Sequence, residues 1–152
     1  MSSVQPLVRD SIIEDILVIA PSLRLEDRIE LETVGALTPE KALALGFSGN
    51  VCKTIVDRFG EPVAMFGIFG HTKDDASIWL LGTPGLFNVR KFFLKNSKEV
   101  IDNIRGTFKN IGNFVDSRNK TSIKWLNWCG FEKVGEHIHN DVKFYHYTKE
   151  AA

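Results

Sequence analysis

The sequence has no excess of either charge, since its 152 residues include 19 Lys+Arg and 19 Asp+Glu. This neutrality argues against a nucleic-acid-binding protein held by a strongly basic face. No apolar run approaches the roughly 20 residues needed to cross a bilayer. Residues 1–6 also lack the basic start and apolar core of a signal peptide. We therefore expect a cytoplasmic protein with neither nucleic acid nor membrane as a partner.

Cysteine is scarce as well. Cys52 and Cys129 are far apart in sequence and belong to no CxxC pattern, so they predict neither a zinc site nor a disulfide framework. We expect two buried, reduced thiols. His137 and His139 share one face of a predicted strand, but two histidines without a third ligand do not predict a metal site. The sequence therefore indicates no metal.

The chain contains no repeat and no linker rich in Pro, Gly or Ser, so we expect a single domain over residues 1–152. Alternating and β-branched segments predict strands over residues 4–8, 51–59, 63–69, 76–83, 111–116, 131–138 and 142–147. Helical spacing and capping residues predict helices from Asp10 or Ser11, over 24–34, from Thr38, over 88–106 and from Asn119. This order predicts an α/β (α+β) fold, with a mixed central sheet of about seven strands flanked by four or five helices.

The helical segment over residues 88–106 allows two interpretations. Asn96 and Glu99 have the spacing of a capping box, which would start a helix at Ser97 with free N–H groups beside nearby lysines. Such a start could hold an anion by charge and dipole. The alternative is one long helix whose lysines form an ordinary solvated face.

The C-terminal third carries a recognisable spacing. Asn119 is followed three residues later by Ser122 and eleven residues later by Gly130-Phe131. This pattern resembles the GCN5-related N-acetyltransferase superfamily, in which Asn caps a helix, Gly ends it and Phe anchors the next strand. The resemblance implies acyl transfer from acetyl-CoA to an amine of a protein or small molecule.

A narrower resemblance extends along the whole chain. The segments over residues 20–28, 62–67 and 79–83 are similar to phage proteins related to the internal virion protein A of T7-like podoviruses. This likeness implies a bacteriophage protein in the infected host cell, or in the virion with other virion proteins as partners. It also leaves open a non-catalytic virion or morphogenesis protein, or a binder that uses the same cleft without turnover.

The superfamily resemblance also implies sites for the donor. Leu81, Gly82 and Thr83, at the end of a strand, would hold the pantetheine arm of CoA, and Asn119 would shape the cleft. The superfamily's Arg/Gln-x-x-Gly-x-Gly/Ala pyrophosphate loop is missing. In its place, a helix starting at Ser97 would present the pyrophosphate with Lys91, Lys95, Ser97 and Lys98.

The catalytic residues are not assigned by sequence. Leu126 occupies the position at which the superfamily usually has a tyrosine that acts as the general acid, and leucine cannot donate a proton. Candidates for the acid or base are His71, Asp116 and Tyr145, although the sequence favours a surface, turn or packing role over a catalytic one for each of them.

Overall fold

The computed structural model describes residues 5–35 and 37–151. In this part of the chain the strands are β1 (Leu7–Asp10), β2 (Val51–Val56), β3 (Pro62–Gly70), β4 (Asp75–Gly82), β5 (Asn110–Asp116), β6 (Glu132–His139) and β7 (Val142–Glu150). The α-helices are α1 (Ile13–Ile19), α2 (Leu25–Gly35), α3 (Pro39–Phe47), α4 (Arg90–Ile104) and α5 (Lys120–Trp128). Short 3-10 helices span Ala20–Ser22 and Pro84–Val89.

All seven strands form one sheet in the order β1-β2-β3-β4-β5-β7-β6. Neighbouring strands are antiparallel except for β4 and β5, which are parallel. The chain crosses from β4 to β5 through α4, as a parallel pair requires. The predicted fold class, a mixed central sheet with flanking helices, is confirmed.

Each face of the sheet has its own core. Ile78 of β4 belongs to the larger core, which includes Phe93 of α4 and Trp125 of α5. Leu81 belongs to the smaller core with residues of α1, α2 and α3, such as Leu43. Because side chains alternate along a strand, successive residues of β4 supply opposite cores.

Local signals explain several element ends. Thr38 caps α3 by accepting a hydrogen bond from the N–H of Lys41 (3.2 Å). Gly130 follows α5 with φ +87°, a conformation that favours glycine. Asn140 and Asp141 have φ values of +49° and +63°, the backbone that a tight turn between β6 and β7 requires.

The N-terminal boundaries differ from those predicted. β1 covers Leu7–Asp10 rather than residues 4–8, and Val4 lies outside the described residues. α1 starts at Ile13, because the Asp15 carboxylate accepts the N–H of Ile12 (2.9 Å) while Ser11 forms a hydrogen bond with Thr54 (2.7 Å). No helix of the described part is long and apolar enough to cross a membrane.

Candidate active site

β4 and β5 open away from each other. They are paired only where Asp75–Ser77 faces Asn110–Gly112, and beyond these residues the register ends. The outward N–H and C=O groups of β4 alternate along the strand, so the carbonyl of Ile78 and both groups of Leu80 lie on the edge that β5 has left, while the N–H of Ile78 faces Gly112 at the last pairing. The opening therefore exposes a stretch of unpaired strand edge between the two faces of the sheet.

On the α4–α5 face, a cavity of about 520 Å³ lies between the start of α2, the segment that follows β4, α4 and α5. It contains three cationic side chains, Arg24, Arg90 and Lys124, and one acidic side chain, Glu26. The rest of its lining is mainly apolar and aromatic, from Leu25, Pro84, Leu86, Phe87, Phe93, Leu94 and Trp125, with Thr121 at α5. An elongated ligand with an apolar or aromatic part and anionic groups matches this combination.

Arg90 is the first residue of α4. Its guanidinium lies over the Phe87 ring, 3.9 Å from the centroid, and donates a hydrogen bond to the Phe87 carbonyl (2.8 Å). These contacts hold a cation at the start of a helix, where the helix dipole also favours an anion.

The predicted helix start at Ser97 is wrong. Ser97 is buried in the middle of α4, and its hydroxyl donates to the carbonyl of Phe93. The Asn96 side chain likewise donates to the Phe92 carbonyl (2.8 Å), so it bonds back within the helix instead of capping a new one. Ser97 therefore offers no free helix-start N–H groups to an anion.

The lysines predicted beside that helix start do not line the cavity. Lys91, Lys95 and Lys98 are exposed along α4, which matches the alternative of one long helix with a solvated face. The cations that line the cavity come instead from the start of α4, from α5 and from the residue that precedes α2.

The end of β4 is bonded within the protein. Gly82 donates its N–H to the Asp27 carboxylate (3.0 Å), and its carbonyl accepts the N–H of Arg24 (2.8 Å). The Thr83 hydroxyl donates to the Val63 carbonyl (3.0 Å), and Leu81 packs in the smaller core. A ligand arm along β4 would therefore meet the edge groups of Ile78 and Leu80 rather than those of Gly82.

Asn119 caps α5 as predicted, and its side chain does more. Its oxygen accepts the N–H of Ser122 (3.3 Å). Its amide nitrogen donates to Asp27 (3.0 Å) and to Glu30 (3.1 Å), two acidic residues of α2. Asn119 thus joins the N-terminus of α5 to the face of α2 that crosses the opening.

Asp27 is the centre of this network. The side chain is fully buried and accepts two hydrogen bonds from the Arg24 guanidinium (3.0 and 2.8 Å). Together with the contacts to Gly82 and Asn119, this ties α2 to β4 and α5 at once. The Asp27 charge is therefore paired and its oxygens are fully engaged.

Glu30 differs from Asp27 because no cation forms an ion pair with it among the described residues. Its carboxylate accepts hydrogen bonds from the N–H of Asp116 (2.6 Å) and from Asn119, which leaves half of its acceptor positions open. Burial raises the pKa of Glu30 to about 7, and repulsion from Asp27 and Asp116 adds to this rise. The two hydrogen bonds act in the opposite direction and lower the pKa. A carboxylate in this state can exchange a proton near neutral pH.

Glu30 lines a second cavity of about 310 Å³ on the opposite face of the sheet from the first. Its other walls come from α2, α3, β4 and β5, and include Trp79, Leu80 and Phe114. Leu80 therefore contributes to this cavity from the strand edge that borders the opening. The second cavity is thus lined by β4 and β5 themselves, whereas the first is lined by the elements that follow these strands and by the start of α2.

The three acid or base candidates from the sequence lie in different surroundings. His71 is exposed at the β3–β4 turn, bonded to Ser77 (2.6 Å), and lines the second cavity. Hydrogen bonds from Arg118 keep the pKa of Asp116 below its usual value, so its carboxylate stays ionised and is a weak proton acceptor. Tyr145 packs under Lys133, whose ammonium is 4.0 Å from the ring centroid.

Asp27 and Glu30 were not predicted. Both belong to a helix whose acidic and basic residues alternate with apolar ones, as in any solvated helix. No local pattern separates them from Glu26 and Glu32, which are exposed. Only the spatial approach of β4, β5 and α5 distinguishes Asp27 and Glu30.

The pKa of Glu30 predicts how stability depends on pH. The folded protein keeps a proton on Glu30 up to about pH 7, whereas an ordinary glutamate loses it near 4.5. Protonated Glu30 therefore contributes to the free energy of unfolding at low pH. This contribution, about 1–3 kcal/mol, is lost as the pH rises from 4.5 to about 7. Urea unfolding at about pH 5 and about pH 8 should show the decline in the parent protein and in Glu32→Gln but not in Glu30→Gln. An equal decline in Glu30→Gln would contradict the assignment.

No protein-family model matches the chain, and no curated protein matches it in sequence. Solved structures do match over nearly its full length. A GCN5-related N-acetyltransferase from Kribbella flavida has 20% identity and a TM-score of 0.71, and the match covers 96% of this chain and 98% of that one. A GNAT-family acetyltransferase from Bacillus anthracis has 12% identity and a TM-score of 0.70, covering 99% and 97%.

A third similar structure is AAC(6′)-Ib in complex with ribostamycin and coenzyme A, at 12% identity and a TM-score of 0.67, covering 96% of this chain and 93% of that one. At these identities the likeness is one of fold. The seven-stranded mixed sheet and its five flanking helices therefore have the fold of the GCN5-related N-acetyltransferases.

Proposed function

We propose that the protein transfers an acyl group from a coenzyme A thioester, with acetyl-CoA as the donor, to an amine. The observation that carries this proposal is the opening between β4 and β5, with a cationic cavity on the α4–α5 face and, on the other face, a cavity lined by Glu30, which forms no ion pair among the described residues. Such an arrangement lets two substrates approach one point from opposite sides of the sheet.

The residues of the larger cavity fit coenzyme A. Arg90 and Lys124 provide positive charge for its phosphates, and Phe87 and Trp125 provide aromatic and apolar surface. When bound, the donor supplies an activated acyl carbon. The Ile78 carbonyl and the edge N–H and C=O groups of Leu80 would bind a chain lying along β4, and the Leu80 N–H could stabilise negative charge on an acyl oxygen.

The similar structures support the same assignment. AAC(6′)-Ib has been solved with ribostamycin and coenzyme A, and also with acetyl-CoA. The sequence resemblance to phage proteins adds a setting to the proposal, an infected bacterial cell. The second sequence-based hypothesis, a non-catalytic virion protein, does not require either cavity.

Titration calorimetry with acetyl-CoA and with free CoA tests the binding site. We expect micromolar affinity, about −8 kcal/mol, and a loss of at least about tenfold in Arg90→Glu and in Lys124→Glu, because each change reverses a charge facing the phosphates. Lys95→Glu is the matched control, since Lys95 is exposed on the same helix as Arg90 but does not line the cavity.

The outcomes separate the two assignments of the anion site. If Lys95→Glu loses CoA affinity while Arg90→Glu keeps it, the phosphate-binding site lies on the lysine face of α4 instead. If CoA does not bind even at about millimolar concentration, the proposed acyl transfer is ruled out, and only the fold is shared with the acetyltransferases.

A further inference from the structure

The second cavity has an unusual charge pattern. Among the described residues that line it, Glu30 is the only carboxylate, and there is neither a lysine nor an arginine. The other walls are largely apolar or aromatic, from Leu31, Val34, Leu37, Leu45, Phe69, Trp79, Leu81 and Phe114. A cation with an apolar body is complementary to such a site, whereas an anion is not.

A neighbouring cavity of about 430 Å³ continues this pattern, because the two share His71, Ser77, Asn113 and Phe114. It adds two carboxylates, Asp75 and Glu150, and again no lysine or arginine among its described lining residues. A hydrogen bond from Asn110 (3.0 Å) lowers the pKa of Asp75, so its charge persists. The approach to Glu30 therefore attracts cations.

Aromatic contacts define the walls of the groove. The ring of Phe114 stacks on His146 with centroids 4.2 Å apart and an interplanar angle of 15°. On the other side Trp79 packs so tightly on Gly46 that a Cβ there would collide with the indole. Gly46 thus sets the position of Trp79, and with it the width of the cavity.

The cavity is also small. Its volume of about 310 Å³ is at the lower end of the roughly 300–1,000 Å³ typical of small-molecule sites. A single ammonium group at Glu30 with one aromatic or branched apolar substituent would occupy it, whereas a polycation would place its further charges against apolar walls.

We infer that the acceptor is a small primary monoamine with an apolar, preferably aromatic, body, and that Glu30 binds its ammonium group and accepts a proton from it. This inference rests on the proposed acyl transfer. Glu30 can do both because it lines the cavity, is held in place by hydrogen bonds from the Asp116 N–H and Asn119, and has acceptor positions that these two bonds leave open.

The proton balance is complete. Overall the nitrogen loses two protons, one of which passes through Glu30 to solvent, while the other ends on the sulfur. The new N–C bond forms as the donor's C–S bond breaks, and the thiolate leaves with the electron pair. The reaction needs no oxidant or reductant.

The groups that surround Glu30 set the pH dependence of this step. Asp27 on α2 and Asp116 on β5 disfavour its ionised form, while Arg118, which is paired with Asp116, is near enough for the Glu30 charge to help raise its pKa. Turnover should therefore rise with pH through about 7 as Glu30 ionises.

Binding of 2-phenylethylamine, measured by calorimetry with and without saturating CoA, tests the site apart from catalysis. We expect binding in the parent protein and in Glu32→Gln, and a loss of at least about tenfold in Glu30→Gln. Ethylamine, without the apolar body, and 2-phenylethanol, without the charge, should each bind at least about tenfold more weakly.

Two further variants keep the test informative. Gly46→Ala should displace Trp79 and lower the affinity for 2-phenylethylamine while leaving the CoA affinity unchanged. In a thiol-release assay, Glu30→Gln should lower kcat by about 100-fold or more and lose the pH dependence near 7. Circular dichroism spectra and urea unfolding of each variant show whether it is folded.

Failure of the inference differs from failure of the proposed function. If CoA binds but 2-phenylethylamine neither binds nor is acylated, or if Glu30→Gln retains amine affinity and turnover, the acceptor assignment is overturned and acyl transfer stands. If the amine binds through Glu30 but CoA does not bind at all, the cavity is a monoamine site in a protein without acyltransferase activity, and the assignment of Glu30 as proton acceptor is wrong.

Discussion

Asp27→Ala should lower the free energy of unfolding by about 3–5 kcal/mol, because removing one member of a buried ion pair leaves the other charge unpaired. Arg24 is buried and gives two hydrogen bonds to Asp27. The substitution also leaves the Gly82 N–H without an acceptor and removes one of the two acceptors of the Asn119 amide. Urea unfolding followed by fluorescence measures the change.

Asp10→Ala is the matched control. Asp10 forms an ion pair with Lys53 (2.6 Å), yet its side chain is 87% exposed, so we expect no measurable loss of stability. Equal effects of the two substitutions would mean that Asp27 does not hold α2 against β4 and α5. The free energy of unfolding of Asp27→Asn should lie between those of the parent protein and Asp27→Ala. The amide keeps one acceptor oxygen but lacks the negative charge that pairs with Arg24.

Trp125→Ala should be destabilising by about 3–5 kcal/mol, the usual range for emptying a large buried aromatic site. Trp125 is 1% exposed, stacks on Phe93 with centroids 5.5 Å apart, and meets Phe66 edge-on. The substitution also widens the larger cavity, so CoA affinity should fall together with stability. Thermal unfolding and calorimetry check the two effects separately.

Trp125→Phe should be much milder, because the Trp125 indole N–H is buried with no hydrogen-bond partner among the described residues. Removing an unsatisfied donor offsets part of the lost packing. Trp128→Ala, on the same helix but 56% exposed, should cost about 1 kcal/mol or less. A large loss from Trp128→Ala would show that the outer face of α5 is more important than its buried face.

Trp125 and Trp128 are three residues apart in α5, a spacing that places both on one helical face. The structure separates them, because the boundary between core and solvent passes between the two positions. Helical spacing shows that residues three apart are neighbours, but it does not say how far the neighbouring elements extend over them.

The error at Ser97 has a similar origin. Asn96 and Glu99 satisfy the spacing of a capping box, but a capping residue must itself have non-helical backbone, and Asn96 lies inside α4. The apolar residues Phe92 and Phe93 keep the preceding turn helical by packing on the larger core. Tertiary packing therefore overrides a correct local pattern.

The sequence by itself determined the order of strands and helices, the mixed sheet and the cap at Asn119, because alternation, helical spacing and capping act over a few residues. Only the tertiary structure decided which charges matter. Asn119 meets Asp27 across 92 positions of sequence, and the Asp116 N–H meets Glu30 across 86. The burial that pairs Asp27 with Arg24 and leaves Glu30 without a cation arises only when α2 crosses the opening between β4 and β5, since the pKa of a carboxyl group depends on what surrounds it in space.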